Sequence, residues 1–362
     1  MSIALLTFHR AYNYGARLQA YALYKKLCQM GEKCVIVRYE TPEQVAQYKT
    51  FQMDFSILGI MRNIRNLIIY RVYYKRRQCF DRFSNNYCEY SEIVRDKHRL
   101  HNLLNSFQIV MIGSDQTWNV MERAFDDAYL LPFELSGRKI SYASSTGDDL
   151  HLWSESDIDK MVTHLSDFSY ISVRESDAIE MLKLKGIQAC QVVDPTILLN
   201  KEEWDYVKSH TIISEDEYIL YYTVKATDFS VKFVQKLSRV LGIRVIAIHP
   251  RNKLEFNSGF VRKIDMGPDS FIEYISKAKY VVTTSFHATI FSIIYNKPFL
   301  CPTTNQRIVD LLGRLCLSKR LVSSLSDIST MDEQIDWEMV TDNLQSLRIM
   351  SEEYLKNAIK NG

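Results

Sequence analysis

Short apolar runs that do not alternate with polar residues recur along this 362-residue chain, each followed by a segment of helical period. That rhythm leaves few folds open. A strand that is apolar on both faces must be covered on both, and a repeating strand–helix unit does this as a parallel sheet flanked by helices. The first series has strand-like runs at 3–6, 34–37, 109–112, 140–143, 170–173 and 191–193. Helical segments at 16–30 and 177–185 each stop at a glycine, Gly31 and Gly186. The second series has runs at 218–222, 245–248, 280–282 and 299–301, with helical segments at 229–241, 269–279 and 290–295. The predicted class is therefore α/β, with two Rossmann-like domains whose parallel sheets face a cleft. The first is expected over 1–200, with a basic helical insert at 52–105, and the second over 201–330. Residues 331–362 form a C-terminal surface helix, and Pro195 marks the boundary region.

Composition narrows the partners. Apolar residues make up 46% and aromatics 12%, ample for two cores, while a net charge of +2 gives no reason to expect a nucleic-acid partner. The seven cysteines are scattered without CxxC spacing, which suits reduced thiols and suggests no metal site. Residues 1–8 lack the basic start and cleavage site of a signal peptide. The longest uncharged stretch, 280–296, is too short and too polar at its centre to span a bilayer. A soluble, cytoplasmic protein is expected.

Ligands of open parallel sheets bind beyond the carboxyl ends of the strands. The residues there are polar: Phe8-His9-Arg10, Gly113-Ser114-Asp115-Gln116, Ser144-Ser145-Thr146-Gly147, Arg174-Glu175, His249-Pro250-Arg251 and Ser285-Phe286-His287. Each alone could simply cap a helix or turn. Six such clusters on one kind of edge point to a binding site. In 280–290 a buried strand turns into a helix, with Thr284 or Ser285 suited to the N-cap. His287 then falls in the first turn, where unpaired N–H groups attract an anion.

These stretches, taken in order, resemble the polysaccharide pyruvyl transferase family. The shared features are Asn13-Tyr14-Gly15-Ala16-Arg17-Leu18-Gln19 opening the first helix, Gly113-Ser114-Asp115-Gln116-Thr117-Trp118-Asn119, and Tyr142-Ala143-Ser144-Ser145-Thr146-Gly147. Ser172-Val173-Arg174-Glu175-Ser176, Asp194-Pro195-Thr196, the strand–His287–helix element and Asn305-Gln306-Arg307 complete the set. The resemblance runs over roughly residues 3 to 320. It implies a GT-B-like fold, phosphoenolpyruvate as donor co-substrate with no cofactor and no metal, and a pyruvate ketal on a saccharide, the expected acceptors being sugars of a lipid-linked polysaccharide precursor. It implies Arg174 as donor anchor and His287 as the histidine near the donor. Ketal formation itself needs one acid and one base, for which His287 is assigned as acid/base and Asp115 as a base for the acceptor hydroxyl. Many members carry an arginine where this chain has Ser285, so donor charge is expected from Arg307 or Arg251, with His249 beside them. Asn13, Tyr14, Arg17, Ser114, Trp118 and Ser145 are expected on the acceptor side.

Two other readings share these residues. A glycosyltransferase using a nucleotide sugar would need a carboxylate for ribose, and Glu255 or Asp269 could serve. A non-catalytic subunit of a polysaccharide assembly complex is the other, invited by Ser285. Residues 62–82 interleave basic and aromatic side chains, a pattern that suits peripheral contact with an anionic membrane.

Overall fold

The computed structural model describes residues 1–47, 56, 59–60, 70–122, 125–148, 150–209, 217–248 and 253–361. The chain divides into two compact units. One comprises Met1–Tyr70, Ser84–Leu198 and Leu347–Gly362, the other Arg71–Phe83 and Leu199–Ser346.

The first unit holds a five-stranded parallel sheet of β1 (Ser2–Leu6), β2 (Lys33–Tyr39), β3 (Tyr90–Val94), β4 (Ile109–Ile112) and β5 (Arg138–Ser141). Their order is β3-β2-β1-β4-β5. A short parallel pair, β6 (Ser172–Val173) and β7 (Cys190–Gln191), continues from β5 through bridges at Ile140–Tyr170 and Ser144–Val173. The second unit repeats the plan with β8 (Ile219–Tyr222), β9 (Val245–Ile248), β10 (Val261–Lys263), β11 (Tyr280–Thr283) and β12 (Phe299–Leu300), ordered β10-β9-β8-β11-β12. In each sheet the order reverses beside the founding strand, between β1 and β4 and between β8 and β11. Such reversal points are where ligands of open α/β sheets bind.

The central strands carry the cores. Ile3 to Leu6, Ile109 to Ile112 and Val281–Val282 are fully buried, as their apolar, non-alternating pattern requires. Each such aliphatic side chain contributes about 1.5–3 kcal/mol on burial. Register is set in the parallel ladders, with Leu6 opposite Ile112 in one sheet and Thr283 opposite Tyr222 in the other.

Four expectations need correction. The insert at 52–105 is not helical throughout, because β3 lies within it as an edge strand. β10 also lacks the apolar run that marks the inner strands, and both strands expose two of their residues. β5 stops at Ser141 rather than 143, because Ala143 turns to φ 50° and leaves the extended region. Arg71–Phe83, part of the helix Tyr70–Tyr87, groups with the second unit. There Lys75 pairs with Asp265 at 2.5 Å and Arg82 with Asp269 at 3.9 Å. The last helix, Trp337–Lys360, is embedded rather than superficial. Leu355, Ala358 and Ile359 are fully buried, and Tyr354 Oη donates to the Ser141 carbonyl at 2.9 Å. Arg138 caps the end of this helix by donating to the carbonyls of Ala358 (3.1 Å) and Ile359 (2.6 Å).

Candidate active site

On the first unit the rim is built around the reversal between β1 and β4. Asn13 caps the helix Tyr14–Gln29, accepting from Gly15 N at 2.9 Å. From that helix Gln19 reaches back to the strand ends. Its Nε2 donates to Thr7 Oγ1 at 3.0 Å, and its Oε1 accepts from Ser114 Oγ at 2.8 Å. Thr7 Oγ1 in turn donates to the Ser114 carbonyl at 3.1 Å. These contacts lock β1 to β4 beyond their last ladder bond. Gly113 is required at this joint, because at φ 122° any Cβ would lie 2.1 Å from the Tyr142 carbonyl oxygen.

Several residues expected to touch the acceptor are enclosed instead. Tyr14, Ser114, Trp118 and Ser145 are fully buried. Trp118 donates its indole N–H to the Tyr129 carbonyl at 3.0 Å, and Ser145 Oγ donates to Glu175 at 2.5 Å. Arg17 is also buried, tying down the 10–11 loop through the Ala11 carbonyl (3.1 Å) and the Arg10 carbonyl (3.3 Å), with a further bond to Ser84 Oγ. These side chains form the floor of the rim. Asn13 and Asp115 remain part-exposed on it.

Asp115 sits at φ 67°, a conformation that costs an L-residue about 1–2 kcal/mol but that Asp tolerates better than most. Its Oδ1 accepts from Gln116 N at 2.9 Å. Asp115→Ala should therefore lower stability by about 1 kcal/mol relative to Asp115→Gly, which carries no Cβ. Urea denaturation of the two variants checks this.

Arg174 does not face outward as a donor anchor. It is buried, with Nε donating to Glu175 at 3.1 Å and Nη1 to Asp194 at 2.6 Å. Burial opposes its charge, but Glu175, Asp194 and Asp115 outweigh that and hold its pKa above the ordinary value. Asp194 also accepts from Thr196 N (2.9 Å) and Thr196 Oγ1 (2.6 Å), which fixes the turn out of β7. The guanidinium thus fastens the end of β6 to that turn.

His9, three residues beyond β1, is 5% exposed. Its Nδ1 lies 3.2 Å from the Thr7 carbonyl, an acceptor only, so Nδ1 carries the proton. Burial, reinforced by Arg17, pulls its pKa down to about 4, with Glu40 and Arg38 as further neighbours. Unfolded histidine protonates near 6.5 and the folded residue only near 4. Stability should therefore fall as pH drops through this window, by about 2 kcal/mol at pH 5 and about 3 kcal/mol below pH 4. Denaturation midpoints at pH 7 and 5 should show this loss in the wild type and lack it in His9→Phe.

On the second unit the rim centres on β11. Thr283 Oγ1 donates to the Tyr222 carbonyl at 2.5 Å, and the Thr223 and Thr284 hydroxyls bond each other across the β8–β11 reversal. Ser285 is the N-cap of Phe286–Ile294, its Oγ accepting from Ala288 N at 3.5 Å, while Thr289 Oγ1 donates back to the Ser285 carbonyl at 3.0 Å. Asn305 caps the neighbouring helix Gln306–Arg314 by accepting from Ile308 N at 3.3 Å. Phe286 stands between the two helix starts. The His287 ring lies 5.5 Å from its centroid, edge-on, and the Arg307 guanidinium lies 6.0 Å over it. His287 and Arg307 are both part-exposed. Two helix N-termini, one imidazole and one guanidinium thus share this rim, an arrangement suited to a small multivalent anion. His249 and Arg251 lie outside the described residues.

Among the carboxylates considered for a nucleotide ribose, Glu255 is buried, and Asp269 is engaged by its own helix start and by Arg82. Among the described residues no group of three or more His, Cys, Asp or Glu side chains is placed to hold a metal ion. Within the same residues no helix is long and apolar enough to cross a membrane.

Residues 13–304 match the family model described as polysaccharide pyruvyl transferase. No curated protein matches the chain in sequence. Among solved structures, the UDP-GlcNAc 2-epimerase of Methanocaldococcus jannaschii superposes with a TM-score of 0.52 at 14% identity, over 97% of this chain and 99% of that one. A putative UDP-N-acetylglucosamine 2-epimerase from Listeria monocytogenes gives 0.57 at 9% identity, over 100% and 97%. Anabaena HepE, solved with UDP, gives 0.56 at 8% identity over the whole of both chains. At these identities the likeness concerns the fold alone, which is GT-B-like.

Proposed function

The chain belongs to the polysaccharide pyruvyl transferase family, and on that premise we propose that it transfers a pyruvyl group from phosphoenolpyruvate to a saccharide, forming a ketal. The observation that carries this reading is the second-unit rim, where His287 and Arg307 flank Phe286 at two adjoining helix N-termini. Phosphoenolpyruvate is compact and bears a phosphate and a carboxylate. The helix N–H groups suit the phosphate, and Arg307 suits a forked contact with either anion. Arg307 also supplies the charge that Ser285 does not.

The chemistry needs little more. A proton added to the methylene carbon of phosphoenolpyruvate leaves an oxocarbenium-like centre at C2, which one sugar hydroxyl attacks with loss of its proton. A second hydroxyl then adds to C2 as phosphate departs, taking that hydroxyl's proton with it. His287, part-exposed beside the donor rim, serves as the acid and base of these transfers. Asp115 is the carboxylate on the first-unit rim that can accept a hydroxyl proton.

The acceptor is a sugar of a polysaccharide precursor carried on a lipid, and the protein works in the cytoplasm at the membrane face. In the helix Tyr70–Tyr87, Arg71, Lys75, Tyr74 and Arg82 are exposed and support such contact, although Lys75 and Arg82 are already paired. Arg62 and Arg65 lie outside the described residues. Co-sedimentation with anionic vesicles that fades with salt is the expected result; equal recovery with neutral vesicles would remove the membrane part of this reading. Donor choice is tested by incubating the protein with phosphoenolpyruvate or with a set of nucleotide sugars in the presence of oligosaccharide acceptors. Consumption of phosphoenolpyruvate is expected, and consumption of a nucleotide sugar alone would refute the assignment.

A further inference from the structure

The turn that follows β4 carries a side-chain amide whose polarity is fixed from within. Met121 N donates to Asn119 Oδ1 at 3.0 Å, so the other branch of the Asn119 amide is its NH₂ group. That group donates to Gln116 Oε1 at 2.7 Å. The sequence of bonds leaves Gln116 Nε2 as the outer end, with its N–H groups still to give. Nε2 makes no hydrogen bond among the described residues, and it is open to solvent on a part-exposed side chain.

The support beneath this amide is rigid. Gly147 lies under it at φ 83°, and a Cβ there would stand 2.4 Å from Asn119 Nδ2 and 3.2 Å from Gln116 Oε1. Only glycine permits so close an approach. Backbone bonds tie the turn to the same loop, Ser145 N donating to the Asp115 carbonyl at 3.0 Å and Trp118 N to the Ser145 carbonyl at 3.2 Å. A donor held in this way loses little freedom when a ligand takes its bond.

The neighbouring residue decides what such a donor can recognise. Asp115 Oδ1 accepts from Gln116 N at 2.9 Å. Its other oxygen has no partner among the described residues and is likewise open to solvent. The rim therefore offers an acceptor and a donor on consecutive residues. An anion would meet the Asp115 carboxylate, and a cation gains nothing from amide N–H groups. A hydroxyl both gives a proton and takes one, so a polyhydroxylated face satisfies the pair.

We infer that Gln116 determines acceptor specificity, its Nε2 donating to one sugar oxygen while Asp115 accepts from a hydroxyl beside it. The inference rests on the pyruvyl transferase reading for the identity of that sugar as the acceptor. Gln116 carries no proton in the reaction. It fixes one oxygen of the sugar and so selects which hydroxyl is presented to Asp115.

The test uses the full chain, labelled with ¹⁵N at the glutamine side-chain amides, and a panel of methyl hexopyranosides as probes. The Gln116 Nε2 signal is identified by its loss from Gln116→Glu and Gln116→Met. At least one glycoside is expected to shift it. Gln116→Glu keeps an oxygen for Asn119 Nδ2 and exchanges only the outward NH₂ for an acceptor. It should bind that glycoside at least about five-fold more weakly, whereas a residue that merely supports Asn119 would leave the affinity unchanged. A signal unmoved by every glycoside would overturn the inference, as would wild-type affinity in Gln116→Glu. Should that variant fail to fold, Gln116→Met is measured in its place with the same expectation. Phosphoenolpyruvate binding by the wild type is measured in parallel. Its absence would count against the donor reading and leave the glycoside result to stand or fall separately.

Discussion

Replacing His287 by alanine is expected to lower phosphoenolpyruvate-dependent turnover by roughly 10²–10⁴-fold, the usual contribution of a positioned acid or base. Folding should be nearly untouched. The side chain lies in the first turn of Phe286–Ile294, part-exposed, and the cap itself is made by Ser285 and Thr289. Arg307→Ala should behave differently. Losing a charge-assisted contact of about 1.5–3 kcal/mol weakens donor binding by roughly 10- to 150-fold, with a smaller change in kcat. Steady-state kinetics with phosphoenolpyruvate varied at fixed acceptor separates the two effects. A His287→Ala enzyme with wild-type kcat would remove the acid/base assignment.

Arg174→Met is expected to act on stability. Its guanidinium is enclosed with Glu175 and Asp194, so its removal strands two carboxylates in a buried setting. Breaking such a pair from one side costs roughly 3–5 kcal/mol, which corresponds to a fall in Tm of roughly 10 °C for a unit of this size. Arg174→Lys should recover only part of the loss, because an ammonium cannot reproduce the Nε and Nη1 contacts together. Adding Asp194→Asn to Arg174→Met should also recover part, since one uncompensated charge disappears. Calorimetry on the three variants checks the ordering. If Arg174→Met melted with the wild type while losing donor affinity, the guanidinium would be a ligand group after all.

The same cluster shows where sequence reasoning reaches its limit. The β/α plan was legible because the inner strands of each sheet are apolar on both faces; the runs at 109–112 and 245–248 coincide with β4 and β9. β3 and β10 escaped because edge strands are solvated and need no such pattern. The polar residues after each strand were legible as a rim, yet the linear order cannot tell its lip from its floor. At Gly113 the chain turns on a backbone conformation that only glycine takes easily, and that turn carries Ser114 and Trp118 inward while Asp115 stays at the edge. Arg174 has the composition of an anchor, but its role is set by Glu175 next to it and by Asp194, twenty positions away in sequence, and only folding brings Asp194 to it. The element around His287 was readable in advance because its parts are local: a cap, a first turn and an apolar helix. His9 stood among the polar clusters too. Its lone pair becomes visible only when the Thr7 carbonyl claims the other nitrogen.

The most direct measurement follows isotopically labelled phosphoenolpyruvate with saccharide acceptors present, recording label in the sugar product and phosphate released. The account predicts equal amounts of both, lowered together by roughly 10²–10⁴-fold in His287→Ala. Label remaining in phosphoenolpyruvate while the acceptor is modified from a nucleotide sugar, or release that does not depend on His287, would contradict it.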